Sequence, residues 1–420
     1  MIRRALVWLH RWAGLAMSAF LVIAGLTGAA LAFNSELEHV FAPRLFATPR
    51  PDAPALDLAT LAERAGPLLA PRARVTGVLR TETDQVQVSF VANSDPATGK
   101  RVALDYTQFY IDPWTGAELG HRRRGDLSEG PVNVMPFLYL VHFMILPQSQ
   151  TGFFVFGLVA IVWTLDCLVA FTLTLPISLS NFWRRWSLAW RVRSGGAVYR
   201  LNLDLHRASG LWLWALLFVF AVSSVMMNMR PVFNAASHAV FDYGSRDGTP
   251  TSGAIRHAKD HPALNWHAAL AIGQRLVADQ ASLHGFTVSE PLGLQYNARS
   301  GSYSYEVRGS RDLFERAPKG GSTVVSFDGD TGAFRRLSQP TGEHIGNTVE
   351  SWLYALHMAR VGGRPYQVLT CLVGLVTALL SVTGIYIWWK KRGFRRVIAR
   401  RRVQQGAPAR APVPLGQTHR

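Results

Sequence analysis

The feature that most constrains this chain is an apolar run of membrane length that opens on a histidine and occurs twice. The first copy begins Leu9-His10-Arg11-Trp12-Ala13-Gly14-Leu15, and the second begins Leu205-His206-Arg207-Ala208-Ser209-Gly210-Leu211. In each copy a glycine follows the histidine by four residues, which places both on one face of a helix. We therefore expect a tandem duplication of one membrane-embedded unit.

The glycine of each motif has two interpretations. Gly14 and Gly210 leave room for a flat ligand against the helix, or they let two helices approach closely, as small residues do in membranes. Under the second interpretation, His10 and His206 lie in the headgroup layer. One motif alone leaves both interpretations open.

Four apolar runs reach the roughly 20 residues that a membrane-spanning helix needs. They are Trp12 to Phe33, Gly152 to Leu175, Leu211 to Met229 and Gln367 to Trp389. Basic residues crowd one side of all four runs, in residues 3–4, 184–200 and 390–402. By the positive-inside tendency this side is cytoplasmic, so both termini are expected there and the two long connections lie outside. The net charge of +17 therefore indicates a membrane protein rather than a nucleic-acid binder.

The first run has a second interpretation as a cleaved signal peptide, because Ala30-Leu31-Ala32 resembles a cleavage site. Its apolar stretch is longer than the roughly 7 to 15 residues of a signal h-region. Its opening motif also recurs on an internal helix, so we expect it to stay as a membrane helix. The two cysteines, Cys167 and Cys371, lie within membrane runs, so neither outside segment is held by a disulfide.

Each outside segment has the pattern of a small α+β module. A helix is predicted over Leu56 to Leu69 and over Ala263 to Ala278. Three strands are predicted in each half: Arg74 to Arg80, Val86 to Val91 and Ala103 to Ile111, then Thr287 to Tyr296, Ser302 to Arg308 and Thr323 to Phe327. Each third strand ends in a glycine-containing turn, at residues 112–116 and 328–332.

After each module comes an apolar segment that is too short to span a membrane. One carries Leu138-Tyr139-Leu140-Val141-His142 and the other Leu353-Tyr354-Ala355-Leu356-His357. Pro147 in the first copy, and Gly362-Gly363 with Pro365 in the second, break the backbone before the next spanning helix. We expect these segments to be half embedded at the outer face, with the histidine directed to the headgroups or into the bundle.

The fold class predicted from these patterns is a mainly α membrane protein, with four transmembrane helices in a tandem duplication and two small outer α+β modules. Its parts are helix 1 at 1–34, module 1 at 35–132, an interfacial helix and helix 2 at 133–176, a basic cytoplasmic loop at 177–205, helix 3 at 206–230, module 2 at 231–344, an interfacial helix and helix 4 at 345–390, and a basic disordered tail at 391–420.

The histidines near the membrane form matched pairs in the two copies. The pairs are His10 with His206 on the inner side, and His142 with His357 and His39 with His238 on the outer side. A pseudo-twofold axis would bring matched residues face to face, as the two axial nitrogens of a six-coordinate haem require. One inner and one outer pair would hold two haems, with His39 and His238 as the reserve outer ligands. Zinc or copper without porphyrin is disfavoured, because no His-x-x-x-His, Cys-x-x-Cys or His-Glu-x-x-His spacing lies nearby.

Three charged residues within or next to the apolar runs have two interpretations each. Arg11 and Arg207 suit bidentate binding of haem propionates, and they suit phospholipid anchoring equally well. Asp166 is a carboxylate inside the second apolar run, where a charge is expensive, so it indicates function such as a proton relay beside a quinol. Its other interpretation is a contact between helices through Trp163 or Thr164. Its counterpart in the other copy is Thr383.

The combined pattern resembles the PepSY-associated transmembrane family, and within it the inner-membrane ferric-siderophore reductases. The resemblance rests on Leu-His-Arg-x-x-Gly at the head of a membrane helix, Asp-x-x-Thr-Gly at the end of each module, and Leu-Tyr-x-x-His before a break, and it covers Met1 to Arg396. The break reads Gly362-Gly363-Arg364 in the second copy and Pro147-Gln148-Ser149-Gln150 in the first, so the assignment of His357 is the firmer one.

The resemblance implies an oxidoreductase that acts on metal ions in a bacterial inner membrane, with haem b as cofactor and PepSY-like modules in the periplasm. Electrons from a membrane quinol or another donor would reduce ferric iron in a siderophore bound between the two modules. The alternative is a membrane-anchored module that binds a peptide or protease without redox activity. A transporter with inverted repeats fits poorly, because these repeats run parallel.

Overall fold

The computed structural model describes residues 1–145, 150–193, 197–243, 259–313 and 321–405, and these residues are mainly helical. The helices are α1 (Ile2–Leu31), α2 (Asn34–Phe41), α3 (Leu58–Leu69), α4 (Val134–Met144), α5 (Gln150–Thr174), α6 (Phe182–Trp186), α7 (Val198–Trp212), α8 (Trp214–Asn228), α9 (Arg230–Ser237), α10 (Trp266–His284), α11 (Ile345–His357) and α12 (Gly363–Gln405). The strands are β1 (Ala73–Glu82), β2 (Gln85–Ala92), β3 (Gln108–Ile111), β4 (Glu118–Arg122), β5 (Val288–Asn297), β6 (Ser302–Gly309), β7 (Thr323–Asp328) and β8 (Phe334–Ser338). The break predicted at Pro147 lies outside the described residues.

Three helices of the described residues are long and apolar enough to cross a membrane. They are α1, α5 and the Gly363–Gly393 part of α12. A fourth span requires α7 and α8 together, and these two helices are bent by 70°. The transmembrane helix predicted at 206–230 is thus divided at Leu213 in the structure, and His206 lies on α7, before the bend.

The bend between α7 and α8 is held by indole groups on both sides of it. Leu213 leaves the helical backbone conformation between the two helices. Trp212 Nε1 donates to the Trp190 carbonyl at 3.0 Å, and Trp214 Nε1 donates to the Cys167 carbonyl at 2.9 Å. Because each indole binds a different neighbouring segment, tertiary contacts set the direction of the two helices, and the apolar pattern of the run does not reveal the break.

The last helix extends beyond the predicted membrane run. α12 continues to Gln405, so the disordered tail predicted over residues 391–420 is wrong for residues 391–405. Lysine and arginine are good helix formers, and a run rich in them extends a preformed helix at little cost. Residues 406–420 lie outside the described part of the chain.

The spanning helices pack in a ring, with α1 against α12 and α5, α8 against α5, and α7 against α12. α1 and α12 pack tightly at Gly25 and Gly374. A Cβ on either glycine would lie 2.5 Å from the carbonyl oxygen of the other. Ala29 and Ala378 follow these glycines by four residues, so both helices carry the small-x-x-x-small pattern of tight membrane crossings.

Gly14 and Gly210 do not make this close contact. A Cβ on Gly14 would meet no atom within 4 Å, and one on Gly210 would lie at an ordinary 3.5 Å from Leu380. Of the two interpretations of the repeated motif, close approach of helices therefore does not apply at these positions, and the space beside Gly14 is open.

The strands of both copies form one antiparallel sheet in the described residues, in the order β4-β3-β2-β1-β5-β6-β7-β8. The copies join where Gly77, Val78 and Leu79 of β1 pair with Gln295, Leu294 and Gly293 of β5. The helix and strands of the two predicted modules thus join edge to edge, and no cleft separates β1 from β5, because the first strand of each copy covers the other's edge. Each copy also has a fourth strand, β4 or β8, which is short and polar and was not predicted.

The sheet has one apolar and one polar face, and its polar face lines the cavity below it. Helices α3 and α10 cover the apolar face, where Val78, Phe109, Tyr303 and Phe327 are buried in one core. Residues that alternate with them, among them Gln87, Gln295 and Glu306, face a cavity above the helical bundle. The predicted turns at the strand ends are confirmed, since Gly116 and Gly332 have φ of 69° and 73°.

We expect a glycine-to-alanine substitution to have opposite effects at Gly25, which lies in the α1–α12 contact, and at Gly66, which lies in α3 with open space around it. Gly25→Ala should destabilise the protein by about 1–3 kcal/mol, because the new methyl group overlaps the Gly374 carbonyl. Gly66→Ala in α3 meets nothing within 4 Å and should stabilise by about 0.5–1 kcal/mol. Thermal unfolding in detergent measures both, and an unchanged midpoint for Gly25→Ala would contradict the packing described.

Candidate functional site

The structure brings together the inner pair of histidines at one end of the bundle. His10 on α1 and His206 on α7 face each other with ring centroids 6.1 Å apart and planes inclined by 58°. Gly384 of α12 lies beside this pair, and a Cβ there would be 3.4 Å from His206 Cε1. Histidines from the two copies therefore meet across the pseudo-twofold axis.

The preferred outer pair is brought together in the same way. His142 on α4 and His357 on α11 have ring centroids 6.2 Å apart, with planes inclined by 66°. His142 points into the bundle, since a Cβ on Gly28 of α1 would lie 2.9 Å from its Cε1. Of the two predicted directions for these histidines, the structure therefore shows the one toward the bundle interior.

The Nδ1 atoms of the outer pair are bound to hydroxyl groups. Thr27 Oγ1 is 3.0 Å from His142 Nδ1, and Ser223 Oγ is 2.7 Å from His357 Nδ1. Each hydroxyl donates its single hydrogen to the carbonyl four residues earlier in its helix, at 2.6 Å for Thr27 and 2.7 Å for Ser223. The hydroxyl oxygen therefore accepts, and the histidine Nδ1–H donates.

The same argument shows which ring nitrogen carries the hydrogen in the inner pair, where one acceptor is neutral and the other is charged. Thr383 Oγ1 lies 3.0 Å from His206 Nδ1 and donates its own hydrogen to the Leu379 carbonyl at 2.7 Å. His10 Nδ1 lies 2.9 Å from both carboxylate oxygens of Asp166. An ionised carboxylate only accepts hydrogen bonds, so His10 also carries its hydrogen on Nδ1. Asp166 thus forms its hydrogen bonds with His10. The sequence alone suggests a contact through Trp163 or Thr164.

All four histidines consequently present an unprotonated Nε2. The side-chain hydrogen bonds of these four histidines in the described part of the chain are all made through Nδ1. When two imidazoles bind one metal ion from opposite sides, each metal–nitrogen bond is about 2 Å long. The ring centre lies about 1 Å beyond each nitrogen, so the two ring centroids are about 6 Å apart. The separations of 6.1 and 6.2 Å match this geometry.

The donor set suits haem better than a metal ion held by protein alone. The described residues contain no group of three or more histidine, cysteine, aspartate or glutamate side chains that could hold a metal. Two imidazoles leave four positions of an octahedral ion unfilled, and the four nitrogens of a porphyrin supply that number. The residues present therefore fit a haem at each pair, whose iron the two histidines would bind.

The reserve outer pair is not assembled. His39 donates from Nδ1 to the Ser35 carbonyl at 2.8 Å, and its Nε2 lies 3.2 Å from Asp84. Burial lowers the pKa of His39, but the Ser35 carbonyl and the Asp84 carboxylate outweigh it and the net shift is upward. His238 stacks on Tyr243 with centroids 4.2 Å apart, and no ring contact within the described residues joins it to His39.

The two arginines next to the inner histidines each have a buried Nε without a hydrogen-bond partner. Arg207 donates to Asp204 at 3.0 Å and to the Leu188 carbonyl at 2.8 Å, whereas Arg11 lies over the Trp12 ring at 5.4 Å. The Nε of each is buried and has no hydrogen-bond partner. An unmet buried donor costs about 1–3 kcal/mol, so a propionate oxygen that accepts there would be favourable.

A cavity of about 1720 Å³ extends from the polar face of the sheet, past the outer histidines, into the bundle, where Leu21, Val159 and Trp163 line it. It exceeds the roughly 300–1,000 Å³ of ordinary small-molecule pockets. His142, His357, Tyr139 and Tyr354 line it below the sheet. Side chains of both charges line its walls, including Arg124, Arg230, Arg336, Arg364, Glu36, Glu82, Glu306 and Glu343.

Sequence reasoning missed the hydroxyl partners of the outer pair. Thr27 and Ser223 each follow the inner histidine of their copy by 17 residues, which marks them as matched polar residues inside apolar runs. Gly28 and Gly384, which leave room for the histidine rings, were also missed. The offset between the copies could have identified the hydroxyl pair, because small polar residues in spanning helices commonly bind across helices.

Comparison with known proteins places both copies in one family. Among curated proteins, no match to this chain is found. A family model described as the PepSY-associated TM region matches residues 7–391, which include all four facing histidines and the whole sheet. The resemblance noted in the sequence is thereby confirmed at the level of the family, and the chain belongs to the PepSY-associated transmembrane family.

Proposed function

We propose that this protein is a haem-dependent oxidoreductase of a bacterial inner membrane. It would reduce ferric iron held in a siderophore, on the side of the membrane where the sheet lies. The observation that carries the proposal is two pairs of histidine rings with centroids 6.1 and 6.2 Å apart, in which every Nδ1 has a hydrogen-bond partner. Family membership is compatible with this activity and leaves the substrate open.

His10 and His206 would hold an inner haem b, and His142 and His357 an outer one. Each bound haem would supply a one-electron couple at its iron. Thr27 lies 17 residues after His10 along α1, which separates the two sites by about 25 Å at 1.5 Å per residue. The macrocycles extend into this interval and shorten the distance between their edges, so the pairs form a path across the bundle.

The protein's own residues orient the cofactors and limit the outer site. The Nδ1 acceptors hold each imidazole at a fixed rotation, which pre-organises its Nε2 for binding. The sheet roofs the outer cavity with amide, hydroxyl and charged groups, among them Gln87, Gln108 and Ser322. This lining suits a polar iron chelate close to the outer haem, with release of ferrous iron after reduction.

The proposed orientation places both termini in the cytoplasm and the sheet in the periplasm. Arg3, near the start of α1, donates to the Leu173 and Leu175 carbonyls at the end of α5, at 2.8 and 3.1 Å. The start of α1 and the end of α5 thus lie at the same level, on the side of the basic residues. A quinol or another donor would deliver electrons at this side.

The alternative function is an anchored module that binds a peptide or protease. The exposed edges of β4 and β8 could accept an extended peptide as an added strand. That function gives no role to the four facing histidines or to their matched Nδ1 acceptors. The reductase accounts for both the sheet and the histidines, so we prefer it.

Removing one histidine of either pair should remove one haem. We expect His10→Ala and His142→Ala each to halve the ratio of Soret to protein absorbance, because one axial bond does not retain the cofactor. The doubles His10→Ala/His206→Ala and His142→Ala/His357→Ala should show no further loss within their pair. His39→Ala is the matched control and should keep the wild-type spectrum. Full haem content in all four variants would contradict the assignment.

The direction of electron transfer can be tested in vesicles that hold the protein in one known orientation. The haems are reduced chemically, and a ferric siderophore is then added to one side at a time. We expect reoxidation only after addition at the side of the sheet, because the cavity opens beside His142 and His357. Equal reoxidation from both sides, or none from either, would contradict the reductase and favour the anchored binding module.

A further inference from the structure

We propose that Asp166 makes His10 the most electron-donating of the four histidines, and that this lowers the reduction potential of the inner site below that of the outer one. Electrons would then move toward the sheet. The inference rests on the proposed function, since it concerns the haem ligands. Asp166 acts through His10, so it is a positioning and tuning residue.

The four histidines differ in the charge of the group that accepts from Nδ1. His10 donates to a carboxylate, with both oxygens at 2.9 Å. The other three donate to neutral hydroxyls of Thr383, Thr27 and Ser223, at 3.0, 3.0 and 2.7 Å. A carboxylate raises the basicity of a histidine ligand more than a hydroxyl does, because it draws the Nδ1 hydrogen toward itself.

The surroundings of Asp166 strengthen this effect. Its side chain is 7% exposed, and among the ion pairs of the described residues its partner is His10 rather than a lysine or arginine. A buried charge without a cationic partner is poorly screened, since the local dielectric is low. The carboxylate therefore favours the more positive, oxidised form of an iron centre beyond His10, and its electrostatic effect has the same sign as its effect on basicity.

The duplication supplies an internal comparison for this residue. Asp166 on α5 and Thr383 on α12 occupy matched positions, and each binds the Nδ1 of an inner histidine. The outer pair has hydroxyls in both copies. The single carboxylate is thus at the inner site, on the side where the basic residues indicate the cytoplasm.

The proposed order balances one electron at each transfer. With a haem held by each histidine pair, one electron lost by the inner site would be gained by the outer site. The outer site would then give one electron to a ferric chelate, which would become ferrous. A two-electron donor of the quinol class would serve two such transfers, with release of two protons and formation of the quinone.

The test is a potentiometric titration of the purified full-length holoprotein, with the inner site identified as the one lost in His10→Ala. Asp166→Asn and Asp166→Thr should raise the inner midpoint potential by at least a tenfold change in the reduction equilibrium, about 59 mV for one electron. The outer midpoint should stay in place. Thr164→Ala, on the same helix, is the control, because Thr164 bonds the Ala160 carbonyl and no histidine.

The reciprocal change keeps the inference testable if an Asp166 variant fails to fold. Thr383→Asp should lower the inner midpoint, and the exchange Asp166→Thr/Thr383→Asp should return it close to the wild-type value. Inner midpoints that stay in place in both single variants, with haem retained, would overturn the inference. Wild-type protein purified without haem would instead overturn the proposed function, so the two failures are distinguishable.

Discussion

The hydrogen bond donated by Nδ1 of each of the four paired histidines is the interaction on which the site depends. A neutral imidazole has one N–H, and the partner of that N–H decides which nitrogen keeps a lone pair. Three of the partners are hydroxyls whose own hydrogens are committed to helix carbonyls, and the fourth is Asp166. This chain of donors and acceptors leaves the ring hydrogen of each histidine on Nδ1 and a lone pair on Nε2.

The rest of the fold places these bonds where they are needed. Gly25 and Gly374 let α1 and α12 approach closely, and Gly28 and Gly384 lie against the histidine rings. The short helices α4 and α11 carry the outer histidines back toward the bundle axis, where they meet the hydroxyls of α1 and α8. The joined sheet then closes the outer side, with its polar face toward the cavity.

The sequence predicts the local elements of this fold well, because they depend on local patterns. The duplicated motif and the apolar runs predict three spanning helices closely, and alternation of apolar residues predicts six of the eight strands. The remaining strands, β4 and β8, carry arginine or glutamate and lie at sheet edges, where burial does not impose an apolar pattern. The pairing of β1 with β5 joins segments far apart in the sequence, and the pattern of either strand alone does not predict it.

The candidate site shows the same division between local and tertiary information. Matched positions in the two copies predict which histidines belong together, and the structure separates His142 and His357 from the reserve pair through the contacts of His39 with Ser35 and Asp84. The cost of a charge in lipid marks Asp166 as important. Its partner depends on the packing of α5 against α1, which the sequence alone does not reveal.

The central claim is that the two facing pairs each hold a haem, and the haem content of the wild-type protein tests it most directly. A pyridine haemochrome assay on protein purified in mild detergent, with protein measured by amino-acid analysis, gives the type and number of haems per chain. The account predicts haem b at two per polypeptide. Protein that is folded, as judged by a single thermal unfolding transition, and that contains no haem would contradict it.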